Sequence, residues 1–380
     1  MAHRRLPALF MRGGTSNALV FHVKDLPAER GAWDGLFLGA MGSPDPNGRQ
    51  LDGMGGGISS LSKVCVIGPP SRDDADIDYT FAQIGTDKAT VDYAGNCGNM
   101  SSAMGPAALE LGLVAAPETG EARVRIHNTN TGKIIVARFP VEDGLLAHSG
   151  DMAIAGVAGR AAPIRLEFLE PGGARTGRLL PSGTACDLLA LPDGRKIRAS
   201  LVDAANPCVF VAAAELGKTG GETPEALAED AAFMADMEAL RCAGSVRMGM
   251  AADLAGAAEI PSVPKVAIVA APADVTTLSG EVIGAGEMSL GVRMISMEQP
   301  HRAVPITGAI CLAVAARVPG SVPGALCRAG DGAITVAHPS GVIVVDAEVE
   351  TTGGEVTARK GVIYRTARTL FEGSVRLPGG

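Results

Sequence analysis

Aromatic residues are scarce in the 380-residue chain, where Phe, Trp and Tyr together make up 3% of the sequence. The hydrophobic cores must therefore be built mainly from Val, Ile, Leu and Ala. Clusters of basic residues are also missing, and the net charge of −8 is spread along the chain. A nucleic-acid partner is not expected, because binding to phosphates requires a concentrated basic surface.

Long apolar segments are absent as well. The apolar runs end well before the about 20 residues that a membrane span requires, and the first residues lack a signal-peptide pattern. The seven cysteines are odd in number and scattered, with no Cys-x-x-Cys pair and no histidine at metal-ligand spacing. We therefore expect a soluble cytoplasmic protein without membrane contact, disulfide framework or metal site.

Glycine and proline are by contrast abundant, with 50 and 24 residues, and they separate short runs rich in β-branched residues. This chain length favours two domains. We predict domains at 1–185 and 186–380, with the junction in the stretch 181–197, which is rich in turn-forming residues.

Each half contains one segment that is apolar on all sides and rich in small residues, at 97–114 and at 307–318. This pattern predicts a buried central helix in each half of an α+β protein, with a curved sheet around it. The two helix N-termini are expected near a shared cleft, where their dipoles favour carboxylates. A third segment, 223–244, predicts one amphipathic helix with Thr223 as its N-cap.

Two residues are candidates for proton transfer. Cys97 stands in a Gly-Asn-Cys-Gly-Asn segment at the start of the first central helix, where free N–H groups and the helix dipole stabilise a thiolate. Lys63 follows a glycine-rich loop and begins an apolar strand, where partial desolvation makes an amine usable as a base. The alternatives are a buried structural cysteine and a surface lysine at a strand end.

Polar turns and helix starts supply candidates for binding an anionic substrate. These candidates are Arg12, Thr15, Ser16, Asn96, Gly98, Asn99, His301, Thr307, Gly308, Ser340 and Gly341. For His301 a structural role is the alternative, and the absence of an obvious Ser or Asp partner argues against a hydrolase triad. The segment 128–133 is either a further anion-binding turn or a hairpin turn.

In order along the chain, several motifs resemble the PrpF family: MRGGTS (11–16), GRQLDGMGGG (48–57), SKV (62–64), VDYAGNCGN (91–99) and YRTARTLFEG (364–373). The resemblance implies a diaminopimelate epimerase-like fold of two pseudo-symmetric domains, with the active site in the cleft between them. It also implies an isomerase of small unsaturated di- or tricarboxylates that needs no cofactor. Lys63 is then the base, and Cys97 either transfers a proton or orients the substrate.

The resemblance leaves the substrate open. Acids of the 2-methylaconitate, aconitate or methylitaconate type are favoured, and the alternatives are a 4-oxalomesaconate tautomerase and a non-catalytic polycarboxylate-binding relative. Asn17 replaces a lysine that is usual in the family, which removes one positive charge near the predicted site. Pro305 stands where epimerases of this fold have a second cysteine, which disfavours two-cysteine racemisation. Monomer and homodimer both stay open.

Overall fold

A computed structural model describes residues 5–93, 97–296, 298–328, 330 and 332–377. The chain forms two compact units, one of Met1–Glu167 with Tyr364–Gly380 and one of Phe168–Ile363. These units differ from the predicted domains. The first unit ends at Glu167 instead of residue 185, and it also includes the C-terminal residues from Tyr364 onwards. No helix in the described ranges is long and apolar enough to cross a membrane.

Among the described residues, the first unit has nine strands in its N-terminal part and two helices. The strands are β1 (Arg5–Gly13), β2 (Ser16–His22), β3 (Lys63–Gly68), β4 (Ile77–Ile84), β5 (Val91–Asp92), β6 (Thr119–Asn128), β7 (Lys133–Glu142), β8 (Leu145–Leu146) and β9 (Ile164–Leu169). The helices are α1 (Trp33–Met41) and α2 (Gly98–Glu110). Strand β2 runs parallel to β3, β4 runs parallel to β6, and the pairs β1–β2, β3–β4 and β6–β7 are antiparallel.

The second unit has strands β10 (Asp187–Ala190), β11 (Lys196–Ala204), β12 (Asn206–Ala212), β13 (Lys265–Ala270), β14 (Val275–Thr276), β15 (Val282–Ile283), β16 (Leu290–Ser296), β17 (Gln299–Pro300), β18 (Ile334–His338), β19 (Gly341–Thr352) and β20 (Glu355–Arg365). Its helices are α3 (Pro224–Glu229), α4 (Ala231–Arg247), α5 (Leu254–Ala258), α6 (Ile306–Arg317) and α7 (Val322–Leu326). Strand β20 ends just beyond this unit.

The second unit repeats the strand connections of the first. Strand β12 runs parallel to β13, β16 runs parallel to β18, and the pairs β11–β12, β13–β16 and β18–β19 are antiparallel. Helix α6 precedes β18 as α2 precedes β6. The predicted pseudo-symmetry of the two halves is thus present in the order and direction of their strands.

The last strand, β21 (Ala367–Arg376), belongs to the first unit because it pairs antiparallel with β1 from Arg5 to Gly13. The predicted junction at 181–197 instead lies within the second unit. This stretch is rich in proline, glycine and polar residues because it includes the hairpin between β10 and β11, in which Ala190 pairs with Lys196. Turn residues of a hairpin resemble those of a linker, which explains the difference.

Both central helices are confirmed. In α2 every residue from Met100 to Leu109 is buried, and in α6 every residue from Gly308 to Ala315 is buried. Small residues predominate in both, and they let the strands of each sheet approach the helix closely. A Cβ on Gly308, for example, would lie 2.6 Å from Sδ of Met294 in β16.

A second core in each unit lies on the other face of its sheet. In the first unit Phe37 of α1 stacks on Phe21 of β2 at 5.9 Å between ring centroids. In the second unit Phe233, Met237 and Leu240 of α4 pack on the sheet. Each sheet is therefore apolar on both faces, with its central helix on one of them.

The prediction of one helix over 223–244 is wrong in its continuity. Thr223 is the N-cap, as predicted, but the helix α3 ends at Glu229 and α4 begins at Ala231. Between them Asp230 caps the second helix by accepting from the N–H of Phe233 at 3.0 Å. An aspartate that is bound both to a helix start and to Lys218 favours a break at this position.

Candidate active site

Lys63 is buried at the start of β3, with 7% of its surface exposed. Its Nζ donates a hydrogen bond to Oε1 of Gln83, the residue opposite it on β4. The Gln83 amide is oriented by its own donor, because Nε2 binds the carbonyls of Ser59 and Ser62 at 3.0 and 2.9 Å. The Lys63 amine is therefore held in a defined position, 5.2 Å from the centre of the Phe81 ring.

Strand alternation directs Lys63 towards α2. Val64 packs in the core that contains α1, so Lys63 and Cys65 face the opposite side of the sheet. There the Tyr79 hydroxyl lies 3.8 Å from Sγ of Cys65 and bonds to the hydroxyl of Ser101 in α2. Lys63 is thus on the sheet face that covers the central helix, and the surface-lysine alternative does not apply.

Cys97 is the N-cap residue of α2 and is partly exposed. Its carbonyl accepts from the N–H and the hydroxyl of Ser101, while its side chain makes no capping hydrogen bond. Burial raises the pKa of Cys65 and of Tyr79, and the charge of Cys97 raises both further. Cys97 and Lys63 therefore both lie within electrostatic range of Cys65, and Cys97 is also beside the first N–H groups of the helix.

The predicted N-terminal turn contacts the start of α2. Thr15 accepts a hydrogen bond from Nδ2 of Asn99 at 3.1 Å, and Ser16 is buried beside it. Gly14 has a φ of +52°, and a Cβ on it would lie 2.2 Å from Oδ1 of Asn99. The turn therefore requires glycine both for its backbone conformation and for its approach to the helix. Asn96 lies outside the described residues.

Arg12 is not directed towards α2. A Cβ on its neighbour Gly13 would lie 2.7 Å from the Asn99 carbonyl, so alternation turns Arg12 to the other face of the sheet. Its Nη1 donates to the carbonyls of Gly14 and Thr366, both at 2.9 Å. These bonds brace the turn. Asn17, which pairs with Arg12 in register, lies on the same distant face.

Arg365 lies beside Asn99 in the candidate site and was not predicted individually from the sequence. It is 9% exposed, and its Nε donates to Oδ1 of Asn99 at 3.2 Å while Nη1 donates to the Tyr364 carbonyl at 3.0 Å. Burial lowers the pKa of Arg365 to about 10, so the guanidinium is still charged at neutral pH. Within the described part of the chain no carboxylate pairs with it.

In the second unit, Thr307 and Gly308 lie in the first turn of α6, as predicted. His301 lies between β17 and α6, is half-buried, and donates its main-chain N–H to the Met294 carbonyl at 2.8 Å. Burial lowers the pKa of His301, and the charge of Lys265 lowers it further.

Ser340 and Gly341 lie at the hairpin between β18 and β19, where His338 pairs with Gly341. The Ser340 hydroxyl donates to the carbonyl of Arg302, the residue after His301. The structure thus places Ser340 against the residue that follows His301 in the second unit.

The segment 128–133 is confirmed as a hairpin turn, because Asn128 pairs with Lys133 in the β6–β7 register. The side chain of Asn130 reaches back to β4, where it accepts from the N–H of Phe81 at 2.8 Å and donates to its carbonyl at 2.9 Å. Its amide also donates to the Tyr93 carbonyl at 2.7 Å. Asn130 therefore supports the segment that leads to Cys97.

Comparison with known proteins gives consistent results over the whole chain. Residues 3–378 match the PrpF protein family. The chain is 38% identical to 2-methyl-aconitate isomerase of Cupriavidus necator, with 99% of this chain and 98% of the relative aligned. It is 41% identical to 3-methylitaconate isomerase of Eubacterium barkeri (98% and 97% aligned) and 38% identical to 4-oxalomesaconate tautomerase of Pseudomonas putida (99% and 97%).

Solved structures agree with these relatives. A methylitaconate-delta-isomerase superposes with a TM-score of 0.92 at 40% identity, covering 99% of this chain and 96% of the other. A hydroxyproline epimerase from Agrobacterium vitis, with a TM-score of 0.50 at 14% identity and 98% and 93% coverage, shares the fold alone. The predicted epimerase-like fold and isomerase activity are confirmed. The chain belongs to the PrpF family of isomerases.

Proposed function

We propose that this isomerase acts on a small unsaturated di- or tricarboxylate of the 2-methylaconitate, aconitate or methylitaconate type. The observation that carries the proposal is the common orientation of two groups. The amine of Lys63 lies on the sheet face that covers α2, and Cys97 is the N-cap of that helix. The names of the relatives in two of the comparisons support this class of substrate.

The chemistry begins with proton removal. Lys63 acts as the base and accepts a proton from the carbon next to the conjugated double bond, and the C–H electron pair becomes part of a dienolate. A proton then returns to the other end of the allylic system, which shifts the double bond, or to the original carbon after rotation. The returning proton comes from the Lys63 ammonium or from the Cys97 thiol, and in the second case the proton on Lys63 passes to the Cys97 thiolate by exchange with water. No atom is gained or lost overall.

Positive charge must stabilise the dienolate and the substrate carboxylates, because the protein as a whole carries −8. Arg365 supplies a buried guanidinium beside Asn99, and the first N–H groups of α2 supply the positive end of the helix dipole. Both lie on the side of the sheet towards which Lys63 is directed. This arrangement favours an anionic intermediate over a neutral one.

The main alternative is a 4-oxalomesaconate tautomerase. A relative with that name is 38% identical to this chain, as is the 2-methyl-aconitate isomerase, and this similarity supports the alternative. The same two residues would carry out this 1,3-allylic shift. The non-catalytic alternative depended on Asn17, and Asn17 lies on the sheet face away from α2. A missing charge at that position does not alter the surroundings of Lys63.

The test follows proton exchange directly. The protein is incubated in D2O with trans-aconitate, 2-methylaconitate, methylitaconate and 4-oxalomesaconate, and each acid is followed by proton NMR. We expect isomerisation with deuterium incorporation into one of the first three acids. Lys63→Met should reduce the rate by about 10²- to 10⁴-fold, the usual contribution of a positioned base.

Two further variants complete the experiment. Lys88→Met removes an exposed lysine of the same unit and should leave the rate unchanged. Cys97→Ser separates the two routes of proton return, because it abolishes exchange at only one carbon if Cys97 is the donor. Preference for 4-oxalomesaconate would favour the alternative, and wild-type exchange by Lys63→Met would refute the role of Lys63.

A further inference from the structure

Gln50 is a buried residue of the first unit with a strained backbone. Only 1% of its surface is exposed, and its φ of +53° lies in the left-handed region that residues other than glycine rarely adopt. It belongs to the glycine-rich segment 48–57, which precedes Lys63 in the sequence. A strained conformation persists only where its surroundings enforce it, and such positions cluster at functional sites. Gln50 is therefore a candidate for a role beyond filling space.

The side chain of Gln50 forms hydrogen bonds at both of its polar atoms. Its Oε1 accepts from the N–H of Gly57 at 2.9 Å and from the hydroxyl of Ser62 at 2.6 Å. Its Nε2 donates to the hydroxyl oxygen of Ser43 at 2.7 Å. One amide therefore ties the glycine-rich segment to the residue directly before Lys63.

The glycines of the segment leave room for this side chain. A Cβ on Gly55 would lie 2.3 Å from Oε1 of Gln50. Gly57 has a φ of +74°, and a Cβ on it would lie 2.4 Å from the carbonyl oxygen of Gly48. The carboxylate of Asp45 fixes the segment from the other side, because it accepts from the main-chain N–H of Gln50 at 2.6 Å. Close packing around Gln50 thus accounts for these glycines.

Ser62 connects Gln50 to the hydrogen-bond partner of Lys63. Its hydroxyl lies 2.6 Å from Oε1 of Gln50 and 2.8 Å from the carbonyl of Ile58, so it shares its proton between them. The Ser62 carbonyl accepts from Nε2 of Gln83 at 2.9 Å, and Oε1 of Gln83 accepts from the Lys63 amine. Ser62 is fully buried, which shields these bonds from solvent. A continuous chain of hydrogen bonds therefore links Gln50 to Lys63.

We propose that Gln50 is a positioning residue for Lys63 and that the segment 48–57 serves to hold it in place. The inference rests on the proposed function, in which Lys63 moves the proton. Because Gln50 is buried, it acts through Ser62 and Gln83 and does not contact the substrate. A displacement of about 1 Å in a reacting group lowers a rate by about 100-fold. Loss of the chain should therefore slow the chemical step.

The test separates placement of the base from substrate binding. In the D2O assay, kcat and KM are measured for the best substrate with Gln50→Met and Gln50→Asn. Asparagine tolerates the left-handed φ, but its side chain is too short to reach both Ser43 and Ser62. Both variants should lower kcat by about 10- to 100-fold with little change in KM.

Two comparisons distinguish positioning from a general loss of stability. Asp76→Asn weakens the 2.6 Å ion pair with Arg125 beyond the opposite end of β4, and it should leave kcat unchanged. Gln83→Leu should lower kcat, and adding Gln50→Met to it should cause no further loss, because both residues act through one chain. A fall of kcat in Asp76→Asn equal to that in Gln50→Met would overturn the inference. Multiplying losses in the double variant would overturn it as well.

Competitive acetylation with a trace of acetic anhydride, followed by peptide mass spectrometry, provides a readout that is independent of activity. Gln50→Met should raise the labelling of Lys63 relative to the exposed Lys88 by about 3- to 10-fold, the usual effect of losing one hydrogen bond. Unchanged kcat and unchanged labelling would overturn the inference. If the wild type isomerises none of the acids, the proposed function fails, and the labelling ratio alone decides whether Gln50 positions Lys63.

Discussion

Arg365 and Asn99 are 266 positions apart in the sequence, yet Nε of the arginine donates to Oδ1 of the asparagine at 3.2 Å. The same Asn99 side chain donates from Nδ2 to Thr15 at 3.1 Å. One amide therefore connects the N-terminal turn, the first turn of α2 and the C-terminal part of the first unit. The two hydrogen bonds of the Asn99 amide also fix its orientation, with Oδ1 directed towards the Arg365 guanidinium.

Replacement of Arg365 should impair catalysis more than stability. In Arg365→Met an apolar chain of similar length fills the buried space, but the charge next to α2 is lost. We expect kcat/KM to fall by about 10- to 100-fold, as for the loss of one charged hydrogen bond, with partial recovery in Arg365→Lys. Arg376→Met removes an exposed arginine of β21 and serves as the control. Equal kcat/KM for Arg365→Met and wild type would contradict this role.

Substitution of Gly14 tests the contact between the N-terminal turn and α2. Gly14→Ala introduces both a strained φ of +52° and a Cβ 2.2 Å from Oδ1 of Asn99. The matched control is Gly132→Ala, where φ is +68° and nothing lies within 4 Å of the added Cβ. The control should lose about 1–2 kcal/mol of stability from strain alone.

Gly14→Ala should lose clearly more stability than its control in urea unfolding, and it should also lose activity. The additional loss reports the clash with Asn99. If the two variants unfold at the same urea concentration and retain equal activity, the close approach seen at Gly14 has no energetic consequence.

Thiol labelling should single out Cys97. Three cysteines are partly exposed, namely Cys97, Cys186 and Cys327, and burial raises the pKa of the last two. Brief treatment with iodoacetamide at pH 7 should therefore modify Cys97 first, as peptide mass mapping can show. Tricarballylate, a saturated tricarboxylate that cannot isomerise, should protect Cys97 and leave the labelling rates of the other two cysteines unchanged. Equal protection of all three would indicate a general change in the protein instead.

Stability should decrease in mild acid, in part because of His22. This buried histidine accepts a hydrogen bond on Nδ1 from the N–H of Lys24, and burial, followed by the charge of Lys24, lowers its pKa below 6.5. The unfolded chain then binds the proton more readily than the native one. The contribution of His22 is fully present above pH 6.5 and is lost as the pH falls through the lower native pKa.

His22→Asn keeps an acceptor near the same place but does not titrate. Its melting temperature should therefore fall less than that of the wild type between pH 7.5 and 5.5, when both are measured by scanning fluorimetry. His148→Asn changes an exposed histidine and is the control. If the melting temperatures of wild type and His22→Asn fall by the same amount between pH 7.5 and 5.5, the proposed link between His22 protonation and stability is excluded.

The parts of the fold that depend on local composition were predictable. The segments 97–114 and 307–318 are apolar on every side, and only a helix enclosed by protein satisfies that pattern. Cys97 and Lys63 were also recognisable from the local sequence, because the glycine-rich sequences next to them mark the start of a helix and the start of a strand. The fold and the family followed from motifs distributed along the whole chain.

Features that depend on distant pairing were not predictable. Arg365 is the last residue of its strand, and only its packing next to Asn99 distinguishes it from an exposed arginine. Asp230 looks like an ordinary helix residue until its bonds to Phe233 and Lys218 are seen.

The pairing of β21 with β1 imposes an order on biosynthesis. A ribosome that has produced Lys63 and Cys97 must still translate the entire second unit before the strand that lies along β1 is made. Arg365 reaches Asn99 only at that stage. A nascent or prematurely terminated chain therefore holds Lys63 and Cys97 without the Arg365 cation beside Asn99, and the proposed site is complete only with the last part of its synthesis.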